Sequence, residues 1–132
     1  MQAFATLCAG FLLAVLWFDL MHDVAWRADL EVPKRYYRRV TVDAFPMNRL
    51  VLVAMLGLLV TLVVELTGDS VPAWAASTSL VLAAPPIGLS RRTVRLAQRL
   101  ETPDQARTIL RHHLFCLACI SGVAIVQLAS LA

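Results

Sequence analysis

The feature that most constrains this chain is the separation of its charged residues from four long apolar stretches. The stretches cover residues 3–22, 47–67, 72–90 and 110–131. Each approaches the roughly 20 residues that an α-helix needs to cross the hydrocarbon layer of a membrane. Hydrophobic residues make up 59% of the chain and the mean hydropathy is +0.70, which exceeds the values typical of soluble proteins. We therefore predict an all-α fold, an integral membrane four-helix bundle in which residues 1–132 form a single transmembrane domain.

The basic residues predict the orientation of this bundle. All twelve Lys and Arg residues lie in or beside the loops at 23–46 and 91–109, whereas the short loop at 68–71 has none. Basic loops stay in the cytoplasm when membrane helices insert. The sequence therefore predicts a multi-pass protein of the cell (inner) membrane, with helices in up-down-up-down order, cytoplasmic basic loops and both termini outside.

The net charge of +3 predicts lipid rather than nucleic acid as the acidic partner. The basic residues flank apolar segments and do not form a separate basic domain, which a nucleic-acid-binding protein would have. Small residues four positions apart, such as Ala75, Ser79 and Ala83, permit close contact between helices in lipid. We expect membrane lipid as a partner, and a partner membrane protein or a second copy of the chain is a further possibility.

A group of ionisable and polar residues marks the candidate site. Asp19 and His22 lie three residues apart and therefore share one helical face. His112 lies at about the same predicted depth, near the inner edge of the hydrocarbon. Ionisable residues inside membrane helices are costly and usually face the protein interior. Asp19 and His22 are thus the candidate catalytic residues.

Three kinds of chemistry fit this group. Asp19, His22, His112 and Cys116 supply donors that suit a transition metal. Alternatively, a haem b could be held between His22 and either His112 or His113. A third hypothesis treats Asp19 and His22 as a proton-handling pair without a metal.

The positions along the last helix favour His112 over His113 as the histidine that faces the bundle. His112, Cys116 and Cys119 fall on one stripe, whereas His113 is expected to point toward lipid head groups or the first loop. The competing interpretation of the whole group is that these residues are polar only because they lie at the membrane interface. Cys116 and Cys119 are expected to be packing residues, because an apolar helix suppresses thiol reactivity.

Two adjacent prolines predict a cavity in the third apolar stretch. Pro85 and Pro86 lack amide donors, so nearby carbonyl groups lose their helical partners. Irregular backbone at membrane depth is tolerated where protein or a cavity receives its polar groups. We predict a substrate cavity formed by Asn48, Pro85, Pro86 and Ser90; the alternative is a plain kink.

The first loop contains its own helical pattern. Lys34, Arg35, Arg38 and Arg39 recur beside Tyr36 and Tyr37 at a spacing that suits a short helix on the lipid head groups. The alternative is a basic flank that only sets the orientation. Glu65, near the opposite face, is expected to be a solvated charge at a helix end.

The resulting functional expectation is a metal- or haem-binding membrane oxidoreductase, or an electron-carrying subunit, that acts on a lipid-soluble substrate at the cytoplasmic face. The alternative is a non-catalytic membrane subunit that binds a partner protein or anionic lipid through its basic loops. The sequence contains no phosphate-binding loop, dinucleotide fingerprint or HExxH motif. Whether the protein is an enzyme therefore stays open at this point.

Overall fold

The computed structural model describes residues 1–43 and 45–131, with the exception of the side chains of residues 43–48. Five α-helices account for most of this chain: α1 (Gln2–Asp23), α2 (Glu31–Arg38), α3 (Phe45–Thr67), α4 (Ala73–Gln98) and α5 (Pro103–Ala129). A 3₁₀ turn, Val24–Arg27, follows α1, and a π-helical segment, Arg39–Asp43, follows α2. The described residues contain no β-strand, so the predicted all-α fold is confirmed.

Three stretches of helix are long and apolar enough to cross a membrane. They are Gln2–Arg27, Arg49–Thr67 and Pro103–Ala129, with mean hydropathies of 2.0, 2.6 and 1.8. Helices α1, α3 and α5 therefore have the predicted length and apolar composition of membrane-spanning helices. Hydroxyl residues and two prolines interrupt the apolar part of α4, so it does not reach the same hydropathy, and its crossing of the membrane stays a prediction.

The four long helices contact one another in the cyclic order α1, α3, α4, α5. Their main core consists of buried apolar residues from all four, with Leu12, Leu58, Ala83 and Val123 among its members. Small residues bring α4 close to its neighbours, because Ala75, Ser79 and Ala83 have no exposed surface. The up-down-up-down order and the external position of both termini stay predictions.

The short helix α2 packs across one end of this arrangement. A second apolar cluster joins Tyr37 to residues at the end of α4 and the beginning of α5, namely Ala97, Leu100, Ala106 and Ile109. The main-chain amide of Glu31 donates to the Asp29 carboxylate over 2.9 Å at the start of α2, which satisfies one of the amides that a helix start leaves without a helical partner. The predicted short helix in the first loop is confirmed, and the lipid head groups as its environment stay a prediction.

The start of α5 is where the sequence places it. The Thr102 hydroxyl accepts from the Gln105 amide over 3.3 Å, and the Gln105 side chain accepts from the Thr102 amide over 3.2 Å. Pro103 occupies the first helical position, where its missing amide hydrogen costs nothing. The capping box thus begins the helix well before the apolar stretch at 110–131.

The second basic segment is mostly helical rather than a loop. Helix α4 continues past Ser90 to Gln98, and only residues 99–102 connect it to α5. Residues 91–98 contain no glycine or proline, and their arginine, leucine and alanine residues favour a helix. Arg91, Arg92 and Arg95 therefore extend from a helix that continues beyond the apolar stretch.

Candidate functional site

The centre of the candidate site is a buried carboxylate that binds two other side chains. Asp23 lies at the end of α1 and its side chain is 2% exposed. Its Oδ1 accepts from the Tyr37 hydroxyl over 2.5 Å, and its Oδ2 lies 2.6 Å from Nδ1 of His113. Helices α1, α2 and α5 thus each contribute one member of this group.

A second carboxylate lies one helical turn earlier on α1. Oδ2 of Asp19 is 3.8 Å from Nε2 of His113, so the two carboxylates flank opposite sides of the imidazole. Oδ1 of Asp19 accepts from the Tyr36 hydroxyl over 2.8 Å. The His22 ring stacks on the Tyr36 ring, with the two centroids 3.7 Å apart.

These bonds determine which nitrogen of His113 carries hydrogen. An ionised carboxylate only accepts hydrogen bonds, and the Tyr37 hydroxyl already donates to Asp23. The short contact between Nδ1 and Asp23 therefore requires hydrogen on Nδ1. This leaves Nε2 as the nitrogen that can accept or release a proton, in the arrangement by which an aspartate orients a catalytic histidine.

The two tyrosines of α2 are strongly affected by this environment. Burial raises the pKa of Tyr37, and the charges of Asp19 and Asp23 together with the hydrogen bond to Asp23 raise it further. Burial also raises the pKa of Tyr36, and the charge and hydrogen bond of Asp19 act in the same direction. Both phenols are therefore held in their neutral, donating form.

This environment predicts an unusual alkaline titration. Tyr36 and Tyr37 are the only two tyrosines in the chain, so tyrosinate absorbance reports on this site alone. An ordinary tyrosine titrates with a midpoint near about pH 10. We expect no tyrosinate signal at that pH while the protein stays folded. Because the pKa values are raised in the folded state, the contribution of these groups to folding stability is fully present below about pH 10 and is lost as the pH rises above it.

The measurement is an ultraviolet absorbance titration in detergent, with circular dichroism recorded on the same samples. Denatured protein serves as the reference and should titrate normally. A midpoint near the ordinary tyrosine value in the folded protein would contradict the arrangement of Tyr36 and Tyr37 described above.

An apolar cavity of about 120 Å³ lies beside this group of side chains. Asp19 and His113 are the members of the group that line it. Its walls come from α1, α3, α4 and α5 and are mostly aliphatic, with Leu16, Met55 and Ile120 as examples. A cavity of about 150 Å³ in a protein core can hold a benzene molecule. The space therefore suits a ring-sized group beside an imidazole and a carboxylate.

The structure places the predicted cavity residues in different positions. Pro86 and Ser90 line the cavity, and Pro86 is buried, whereas Pro85 is exposed. Helix α4 continues through both prolines. The side chain of Asn48 lies outside the described residues.

The predicted metal ligands bond to separate partners, and the haem site between two histidines stays a prediction. His22 bonds through Nδ1 to the Phe18 carbonyl oxygen over 2.8 Å, and His112 lies 3.0 Å from the Thr93 hydroxyl. Cys116 lines the cavity. Among the described residues, no three His, Cys, Asp or Glu side chains are grouped closely enough to hold a metal ion. These residues therefore do not fit a protein-ligated metal.

The expected contact of His113 with the first loop is present through Tyr37, but His113 is also the more buried of the two histidines. His113 is 7% exposed and contacts both carboxylates, whereas His112 is only partly buried and bonds to α4. The buried residues Ile109, Cys116 and Ile120 lie four before, three after and seven after His113, so His113 lies on the same face of α5 as they do.

Sequence reasoning gave no role to Asp23, Tyr36 or Tyr37. One signal was available, because Asp19 and Asp23 are four residues apart and so lie on the same face of a helix. Nothing in the sequence pairs Asp23 with Tyr37, since their contact depends on how the chain turns back through Val24–Arg27 into α2.

A second buried polar group lies at the end of the helices that is far from Asp23 and His113. Gln127 of α5 donates through Nε2 to Oε2 of Glu65 over 3.0 Å and to the Ser79 hydroxyl over 3.2 Å. Glu65 is 1% exposed, so its predicted solvation is wrong. Oε1 of Glu65 and Oε1 of Gln127 are buried without a hydrogen-bond partner among the described residues.

The basic residues predicted to meet lipid head groups all lie on the surface. Lys34, Arg35, Arg38 and Arg39 are exposed, and Lys34 pairs with Glu31 over 3.4 Å. Comparison of the chain with protein-family models, curated proteins and solved structures finds no match.

Proposed function

We propose that this protein is a membrane-embedded proton-transfer enzyme in which His113 exchanges a proton with a lipid-soluble molecule in the apolar cavity. The observation that carries the proposal is the 2.6 Å contact between Asp23 and Nδ1 of His113, beside a cavity that His113 and Asp19 line. A general base must be oriented before its basicity matters. Asp23 supplies that orientation.

The proposed reaction is a proton abstraction followed by a proton return. A hydroxyl or a carbonyl-activated C–H bond of the substrate breaks, its electron pair stays on the substrate, and the proton passes to Nε2 of His113. Asp19, 3.8 Å from Nε2, stabilises the imidazolium that results. Return of the proton to the same or another atom completes an exchange or an isomerisation.

The shape and lining of the cavity indicate the class of substrate. The walls bind an apolar, ring-sized head through burial of its surface, while a longer apolar tail would extend into lipid. Val94 also lines the cavity and is 44% exposed, which gives a molecule dissolved in the bilayer a lateral entry.

We further propose that α1, α3, α4 and α5 cross the inner membrane in alternating directions. Support comes from Gln2, near the start of α1, which donates to the Gln127 main-chain oxygen over 2.8 Å near the end of α5. Asp23, at the other end of α1, meets His113 near the start of α5. Since the basic segments flank this second end, the positive-inside rule places the acid–base site at the cytoplasmic face.

The first test uses Cys116 as a reporter of the cavity. Cys8→Ala and Cys119→Ala leave Cys116 as the single thiol, because the chain has three cysteines. We expect a small apolar maleimide to label Cys116 slowly, because burial suppresses its thiolate form, and an alkylphenol or an alkyl cyclohexenone to slow that labelling further when it occupies the cavity. A Cys119-only variant is the matched control, since Cys119 is on the same helix and does not line the cavity.

The second test addresses the proton on His113. In nitrogen magnetic resonance spectra of labelled histidine, we expect hydrogen on Nδ1 of His113 in the wild type. Asp23→Asn should transfer it to Nε2, because the asparagine amide donates to Nδ1 instead of accepting from it. His113→Gln assigns the signal. The proposal would be overturned if none of the added compounds slowed Cys116 labelling and if Asp23→Asn left the hydrogen on Nδ1 of His113.

A second candidate function is a non-catalytic membrane subunit, favoured by the exposed basic face of α2. Lys34, Arg35, Arg38 and Arg39 would then bind anionic lipid or a partner protein. This function predicts that neutralising Arg35 and Arg38 removes bound lipid or partner while Cys116 labelling is insensitive to small apolar compounds.

A further inference from the structure

We propose that a groove between α1 and α5 binds one anionic phospholipid, with its phosphate beside Trp26, Arg107 and Arg111 and its acyl chain along the apolar surface next to them. This site is separate from the acid–base cavity. It shares no residue with that cavity, so it stands whether or not the proposed function is right.

The polar part of the groove is positively charged. A cavity of about 450 Å³ is lined by Trp26, Arg27, Arg107, Leu110, Arg111 and Leu114. The guanidinium carbons of Arg27 and Arg107 lie 6.0 and 5.7 Å from the centre of the Trp26 ring. Within the described part of the chain, no carboxylate forms an ion pair with any of these three arginines. An anion is therefore the complementary ligand.

Trp26 supplies an independent indication of a ligand. Its indole Nε1 is buried and has no acceptor among the described residues. The indole N–H is a donor only, and a buried donor without a partner is unfavourable. The nitrogen has almost no accessible surface, so in this proposal the Trp26 ring rotates toward the arginine-lined cavity to donate to a phosphate oxygen.

The apolar part of the groove favours a lipid over a free phosphate. An adjoining cavity of about 350 Å³ is lined by six apolar residues: Trp17, Leu20, Met21, Val24, Leu110 and Leu114. Leu110 and Leu114 line both cavities, so one molecule can occupy the two together. Free phosphate would use only the first cavity, whereas a phospholipid uses both.

The test measures phospholipid binding by native mass spectrometry of the purified protein. Phosphatidylglycerol is the probe, and phosphatidylcholine and inorganic phosphate are the comparison ligands. We expect one tightly held phosphatidylglycerol in the wild type. Arg107→Gln/Arg111→Gln should weaken its binding by about tenfold or more, since each basic residue contributes measurably to the binding of anionic lipid.

The matched control is Arg35→Gln/Arg38→Gln, which removes the same charge from exposed positions on α2. The control should leave the affinity within about threefold, because these arginines lie outside the groove and act only through the general surface charge. Trp26→Phe keeps the ring and removes the donor, so its affinity should fall between the two. Circular dichroism establishes that all variants are folded.

Three outcomes would overturn the proposal. Equal losses in the two arginine pairs would show a general surface-charge effect. Equal binding of phosphatidylcholine would show that the phosphate charge is not recognised against a zwitterionic head group. Displacement of phosphatidylglycerol by inorganic phosphate at matched concentration would show that the apolar groove contributes nothing.

Discussion

Replacement of Asp23 by alanine is expected to lower the free energy of unfolding by about 3 kcal/mol, the lower end of the range for breaking a buried ionic pair. The substitution removes the acceptor for Tyr37 and for Nδ1 of His113 at a position where the side chain is 2% exposed. The loss of stability is limited because the Tyr37 hydroxyl is 3.3 Å from Nδ1 of His113. The two groups can hydrogen-bond to each other once the carboxylate is gone.

The measurement is reversible unfolding in mixed detergent micelles, with Asp69→Ala as a control. Asp69 is an exposed carboxylate in the connection between α3 and α4, so its removal should change stability by less than about 0.5 kcal/mol. Asp23→Asn should lose less than Asp23→Ala, because the amide can bond to both neighbours. Stability of Asp23→Ala equal to that of the wild type would show that the three side chains are not joined as described.

Gln127→Leu is expected to cost about 2–3 kcal/mol, the range for leaving a buried polar group without its partner. The substitution removes the donor to Glu65 and Ser79 while the carboxyl group remains 1% exposed. Leucine is close to glutamine in size, so the loss should come from the stranded carboxyl group rather than from a cavity.

The double variant Glu65→Leu/Gln127→Leu separates these causes. Replacing both members of a buried polar pair with apolar residues of similar shape can be nearly neutral. We therefore expect the double variant to be more stable than Gln127→Leu alone, as measured by the same micelle assay. If the loss in the double variant equals the sum of the losses in Glu65→Leu and Gln127→Leu measured separately, the contact between Glu65 and Gln127 contributes nothing to stability.

Much of the helical framework was predictable because its causes are local. The apolar stretches set the long helices, and Thr102, Pro103 and Gln105 form a start signal that depends only on adjacent residues. The short helix in the first basic segment also follows from local spacing. Helix α4 continues eight residues beyond the apolar stretch that ends at Ser90, to Gln98, because an apolar stretch predicts the part of a helix suited to lipid and not where the helix ends.

The candidate site was predictable only in part because it depends on tertiary contacts. Asp19 was identified from its cost inside an apolar helix, and the same argument pointed to the level at which His113 lies. His113 shares the three- and four-residue spacing of the buried residues Ile109, Cys116 and Ile120, so the periodicity of α5 favours it over His112. Tyr37 reaches Asp23 only through the turn between α1 and α2.

Glu65 shows the same limit at the opposite end of the helices. Its position three residues before Gly68 is typical of a solvated helix end. Gln127 is distant in sequence, and its side chain can be recognised as a partner only when α3 and α5 are placed together. A lone glutamine in an apolar helix near a chain end gives no indication of that pairing.

An apolar core separates the polar group around His113 from the one around Glu65, and this limits the movement of charge between them. Its buried members, among them Leu12, Leu58, Leu62, Ile120 and Val123, include no carboxylate or imidazole within the described residues. Such a layer acts as an insulator, because a charge crossing a medium of low dielectric constant loses most of its hydration energy. In the proposed function and topology, protons gained or lost at His113 would therefore come from the water on its own side, and acid–base chemistry there would not discharge a gradient across the bilayer.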